Sequence, residues 1–163
     1  MLKQIAGALA LATTTAIPAL AQSAEEIARV QDKLPCEGCN LFQADLSFRD
    51  LPGVNVANSR LRQADLSLAT MNSADFHNSN LSIANMFGGR FTSANFQRAN
   101  LEQAVMVGAY FGSADFTGAT LTGANLSGAD MKTARGLTQA QLDTACGDES
   151  TQLPAELSVP RCQ

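Results

Sequence analysis

Ala114-Asp115-Phe116-Thr117-Gly118, Ala119-Thr120-Leu121-Thr122-Gly123, Ala124-Asn125-Leu126-Ser127-Gly128: the chain repeats itself every five residues, and the register holds over 39–133 without insertion or deletion. With the third residue of each unit as its centre, the centres run from Leu41 through Phe76 and Phe91 to Met131, and all nineteen are apolar. Two residues before the centre, Ala fills thirteen of nineteen positions, and one residue before it Asn or Asp fills thirteen of nineteen. A repeat of this length must set the fold. Its period matches neither the helical spacing of about 3.6 nor the strand spacing of about two. On a helix the centres would scatter around the cylinder and leave no apolar stripe. A solenoid resolves this: each unit makes one short extended side, turns, and stacks on the coil below to share a core. The centre and the small residue before it point inward, where Ala beside Leu or Phe fills a narrow interior. The remaining positions, rich in Asn, Asp, Ser, Thr, Gln and Gly, face water and make the turns.

Clean units such as Ala64-Asp65-Leu66, Ala94-Asn95-Phe96 and Ala124-Asn125-Leu126 resemble the pentapeptide-repeat proteins, whose units read A-(D/N)-L-x-x. The resemblance covers 95 of 163 residues. It implies an all-β solenoid: a right-handed quadrilateral β-helix, four units to a coil, with short capping helices at its ends. Nineteen units make about 4.75 coils, a rod about 23 Å tall at the usual strand spacing of about 4.8 Å. Arg49 and Val54 occupy small-residue positions and Val56 is the only β-branched centre. The first coil is therefore read as looser, with Arg49 leaving through its open end.

Outside the repeat, 1–21 reads as a signal peptide: Lys3 supplies the positive start, 5–17 is mainly apolar, and Pro18 precedes the small-x-small triplet Ala19-Leu20-Ala21. The apolar part is too short for a permanent membrane span. Gln22 rather than Cys follows, which argues against a lipid anchor. The expected location is the periplasm or the exterior. From Gln22 onward 10 Lys and Arg (11 less Lys3) face 15 Asp and Glu, a net charge of −5. Without Trp, with one Tyr and without a basic patch, the composition points away from sugar-stacking and nucleic-acid binding.

Segment 22–38 is expected to hold an N-terminal capping helix over 23–34, with Ser23 as N-cap, Glu26 at the capping-box position, and Ile27, Val30 and Leu34 on one side. Segment 134–163 is expected to hold a helix over 138–145, with Thr138 and Gln141 as its capping box, and then a tail closed by a disulfide. Such lids are needed because a β-helix exposes unpaired edges at both ends. Four cysteines allow three pairings. Cys36 and Cys39 lie at the start of the rod and Cys146 and Cys162 beyond its end, so local pairing, 36–39 and 146–162, is expected. The second closes a loop of about seventeen residues and contributes roughly 3 kcal/mol by chain entropy. Cys36-Glu37-Gly38-Cys39 also admits a redox pair or half a metal site. The first lacks a thioredoxin-like context, and the second lacks neighbouring ligands because His77 is about two coils away.

With four units to a coil, residues twenty apart stack. One face then shows Phe48 over Leu68 and Phe87 over Val107, with Val105 beside them and Ile83 at the neighbouring corner. Exposed contiguous apolar surface marks contact. Three readings stand: a patch covered by the protein's own termini, a site for a second copy or another protein, or scattered residues without a role. On another face Asp75, Asn95 and Asp115 form a column read as a hydrated ladder, and His77 has no acid or nucleophile in register with it. No phosphate loop, catalytic constellation, cofactor site or metal site is read in the chain, and no small-molecule substrate is expected.

The expected function is a non-enzymatic, exported scaffold for protein partners. An alternative comes from the resemblance, since some pentapeptide-repeat proteins mimic duplex DNA and bind gyrase. The signal segment opposes it, as does the balance of eight acidic residues between Glu37 and Asp130 against six basic ones between Arg49 and Lys132. A further alternative is a thiol-active envelope protein using Cys36 and Cys39.

Overall fold

The computed structural model describes residues 22–163; the signal segment read over 1–21 lies outside them. A ladder of parallel bridges defines the architecture. From Asn40↔Arg60 to Asp115↔Arg135, the residue before each centre pairs with the one twenty positions later. Each rung carries reciprocal main-chain bonds, as where Leu46 N–H donates to Asp65 O and Asp65 N–H to Ala44 O, both at 2.8 Å. Four five-residue sides make a coil, and the fold is a right-handed quadrilateral β-helix. Coils 1 to 4 are 39–58, 59–78, 79–98 and 99–118, and the fifth begins at 119.

The five-residue grammar has a local cause. Ala64 N–H returns to Leu61 O at 2.9 Å, closing a four-residue turn whose third residue, Gln63, sits at φ 60°. Positive φ at that place is a type II signature. The residue before the centre holds the same turn from outside: the Asp65 carboxylate accepts from Ser67 N–H at 2.9 Å, and Asn95 Oδ1 accepts from Gln97 N–H at 3.1 Å. An Asx side chain satisfies the amide two residues on, which an aliphatic one cannot.

All nineteen centres are buried, each at most 1% exposed. Phe76, Phe96 and Phe116 stack at centroid separations of 4.9 and 5.1 Å, and Phe91 lies on Phe111 at 5.3 Å. The two stacks meet edge to face, as between Phe111 and Phe116 at 5.4 Å, the geometry favoured by ring quadrupoles. Where Ser replaces Ala inside, its hydroxyl is satisfied: Ser59 donates to Cys36 O and Ser79 to Val56 O. Arg49 is exposed, while Val54 is buried.

Helix α1, Ala24–Gln31, closes the first coil, with Ile27 and Val30 turned inward. Ser23 caps it by accepting from Glu26 N–H, but Glu26 does not complete the box. Its carboxylate reaches forward to accept from Asn40 N–H at 2.7 Å, tying the helix to the first rung of the ladder. Leu34, expected on the buried side, lies beyond the helix end and is 47% exposed. Helix α2, Gln139–Leu142, has a complete capping box of Thr138 and Gln141 and is shorter than the 138–145 expected. The ladder takes the rest of that span: Thr144 O accepts from Gly123 N–H, and Cys146 N–H donates to Ala124 O. The five-residue register ends near Gly136, yet the rungs continue as Asn125↔Cys146, Asp130↔Gln152 and Gly147↔Arg161. Leu137, Leu153, Leu157 and Val159 pack over the top of the core.

Candidate functional site: an apolar face of the rod

The side that contains Leu46, Leu66, Met86 and Met106 turns the apolar residues outward. Phe48 is 73% exposed, Phe87 48%, Leu68 46%, Val105 39% and Ile83 38%, while Val107 is half-buried. Phe48 and Leu68 share the corner column that continues as Gly88, Gly108 and Gly128. Phe87 and Val107 share the adjoining column, whose first two members are Ser47 and Ser67. Leu68 leans towards the space above Gly88, so that a β-carbon added there would meet Leu68 Cδ2 at 2.8 Å. At Gly108 the same space is open, with no heavy atom within 4 Å.

The backbone of these corners is that of the whole rod, and the residue types set this face apart. Phe48, Leu68 and Ile83 adopt φ of 57°, 55° and 59°. Elsewhere the same turn position is mostly Gly, Asn, Ser or Gln, residues that suit a turn surface. Positive φ is least tolerable for a β-branched side chain, so Ile83 holds stored strain in addition to an exposed apolar surface. Strain and exposure together point to a use for the side chains rather than for the turn.

The described ends leave the face open. Helix α1 touches its lower margin through Gln31, which donates to Asp45 O. Beside the patch Asp45 stays ionised: the Ser47 hydroxyl, then the Ser47 N–H, hold its carboxyl below the usual range. Asp65 accepts from Asn85 Nδ2 at 3.1 Å one coil on. The patch thus has a polar margin on one flank and a glycine corner on the other. Sequence reasoning found the protruding residues and missed the glycine column, whose space is taken by Leu68 at Gly88 and open at Gly108. Writing the sequence in rows of twenty brings Gly88, Gly108 and Gly128 into that column.

The other candidates assemble no chemistry. Contrary to the expectation of no acid beside it, His77 has Nδ1 3.2 Å from Asp75 Oδ1. Among the described residues no hydroxyl or thiol is hydrogen-bonded to that imidazole. Asn95 Nδ2 donates to Asp75, and Gln97 Nε2 to Asp115, so the column is the polar ladder expected. Cys36 is bonded to Cys39 and Cys146 to Cys162, with Cα separations of 5.5 and 4.8 Å. Cys36 and Cys39 are buried. A groove of about 510 Å³ beside the second disulfide is lined by Ser127, Asp148, Glu149, Ser150 and Arg161. Its charges are spent internally: Arg161 pairs with Glu149, and Asp148 accepts from Gly128 N–H, Ser150 and Thr151. No group of three or more His, Cys, Asp or Glu suited to a metal occurs among the described residues, and no described helix is long and apolar enough to cross a membrane.

A family model described as pentapeptide repeats matches in eight copies, over residues 39–78, 50–88 and 94–132. A comparison with curated proteins finds no match. Among solved structures, the chain is similar to HetL, a pentapeptide repeat protein involved in heterocyst differentiation regulation from the cyanobacterium Nostoc. Identity is 24%, the TM-score is 0.44, and 75% of this chain and 62% of HetL are covered. The chain thus spans less than two thirds of HetL. It is also similar to a pentapeptide repeat protein of the Arabidopsis thaliana thylakoid lumen, at 29% identity and TM-score 0.38, covering 71% of this chain and 82% of that one. Similarity extends to QnrB1, a plasmid-mediated fluoroquinolone resistance protein, at 16% identity and TM-score 0.29, covering 72% and 83%.

Proposed function

The chain belongs to the pentapeptide-repeat family, and from that membership we propose that it serves as an exported, non-enzymatic scaffold whose apolar face holds a protein partner in the bacterial envelope. The observation that carries this reading is the conjunction at Phe48, Leu68 and Ile83 of exposed apolar side chains with positive φ. Strain and exposed apolar area both oppose stability, and a protein contact offsets both. Export is supported by the sequence of 1–21 and suits a chain whose four cysteines are all bridged. The DNA-mimic alternative finds no continuous carboxylate column. Asn85, Val105 and Asn125 interrupt the series begun by Asp45 and Asp65, and Asn95 separates Asp75 from Asp115.

The test is cross-linked purification from the native envelope, comparing wild type with a triple variant, Leu68→Glu, Phe87→Glu and Val107→Glu. Intact-mass analysis of the same material reads the N-terminus. A partner or second copy retained by wild type and lost from the variant, on a chain starting at Gln22, is the expected result. Equal capture by both proteins, or a chain retaining Met1 in the cytoplasm, overturns the reading.

A further inference from the structure

Resting on that interaction reading, the geometry points to a second copy of this chain as the occupant of the apolar face, docked antiparallel about a two-fold axis that crosses the rod between coils 2 and 3. The argument is the distribution of large and small residues along two adjacent columns. The corner column reads Phe48, Leu68, Gly88, Gly108 through coils 1 to 4, large then absent. Its neighbour reads Ser47, Ser67, Phe87, Val107, small then large.

A two-fold axis across the rod, in the plane of the face, lays each column over itself and reverses the order of coils. Phe48 then meets the partner's Gly108, where the space for a side chain is open. Leu68 comes to the partner's Gly88, over which the partner's Leu68 leans, so the two Leu68 side chains meet beside the axis. In the neighbouring column Phe87 meets Ser67 and Val107 meets Ser47. Phe48, Phe87 and Val107 each find a small residue under a single operation, and Leu68 packs on its own copy across the axis. That is the self-complementarity an isologous interface requires. The polar margin agrees, since Asp65 comes to face the partner's Asn85, an amide that can donate to it. The one mismatched pair, Asp45 with Val105, lies at an outer corner of the patch, where the carboxylate keeps its water. A two-fold along the rod would instead carry Phe48 and Leu68 towards the column of Asp45 and Asp65, desolvating carboxylates against apolar groups. One face of four coils is small against the usual interface of about 800 Å² per partner, so the dimer is a concentration-dependent one.

The experiment is a knob swap. The full chain, purified after expression from its first residue, is followed by light scattering and sedimentation across a broad concentration series. Gly108→Phe puts a ring where Phe48 must enter and abolishes the dimer. Phe48→Gly removes the knob and weakens it. The double variant Phe48→Gly/Gly108→Phe moves knob and recess to opposite coils while keeping them matched, and dimerisation returns. Circular dichroism checks the fold, and Gly108→Gln replaces Gly108→Phe if the ring is not tolerated, because Gln103 holds φ 57° at the same turn position. A wild type that stays monomeric throughout, or a double variant as defective as Gly108→Phe alone, overturns the inference. A monomeric wild type that still captures a different envelope protein through this face sinks the second copy and leaves the scaffold reading standing.

Discussion

A Phe at the centre of a unit does more here than in most cores, because it belongs to a stack that continues above and below. Phe96 touches Phe76 and Phe116 in its own stack and Phe91 and Phe111 in the other. Phe96→Ala leaves a cavity that rigid neighbouring coils cannot collapse, and it is expected to cost about 3–5 kcal/mol in urea unfolding. The outward face behaves in the opposite sense. Ile83→Asn relieves a β-branched residue of positive φ and is expected to raise stability by about 1 kcal/mol, because strain of this kind costs about 1–3 kcal/mol. A loss of stability would show that Ile83 packs usefully within the monomer. Carboxylates of the Asx turns give a pH signature. The pKa values of Asp115 and Asp148 are lowered from 3.8, the first chiefly by the Thr117 hydroxyl and the second chiefly by the Ser150 hydroxyl. A depressed folded-state value contributes stability above the unfolded value, and this contribution is lost as pH falls through and below 3.8. Thr117→Val should therefore shrink the difference between urea midpoints measured at neutral and at strongly acidic pH.

At the scale of elements, the sides, the turns and the caps differ in how plainly the sequence announces them. The sides were legible because the unit centres are apolar without exception from Leu41 to Met131. The turns were legible as places, but not the positive φ of Phe48 or Ile83, since a five-residue period carries no dihedral information. The caps were only half legible. Capping-box spacing located both helices, yet nothing in a linear pattern says that Glu26 serves Asn40 instead of Ser23, or that Thr144 is drawn from α2 into the ladder. The tail likewise showed its cysteines without showing that Cys146 and Gln152 are rungs. Because Cys146–Cys162 pins those rungs, Cys146→Ser/Cys162→Ser is expected to lower stability by about 3 kcal/mol by the chain-entropy scale. Native-state hydrogen exchange should show the added opening confined to 135–162. A uniform rise in exchange along the rod would mean that the tail and coils unfold as one unit.

Taken whole, the molecule is a stack in which every side is built by the same rule, so sides can exchange places at little cost to the core. This gives the twenty-residue ladder a consequence for heredity. Loss of twenty residues removes one storey and leaves every later residue above its old column. Loss of five, such as 69–73, removes a single wall, and all later residues turn by a quarter revolution relative to those before. Such a deletion should still fold, but it would send Phe87 and Val107 round to a different side from Phe48 and Leu68. Light scattering on this deletion is expected to find a folded monomer, whereas deletion of 119–138, beyond the patch, should leave association intact if the lid reseats. Along such a chain, length is inherited in small change and facing in quarter turns, so lineages free to lengthen or shorten the rod are held to multiples of twenty wherever a face must be kept.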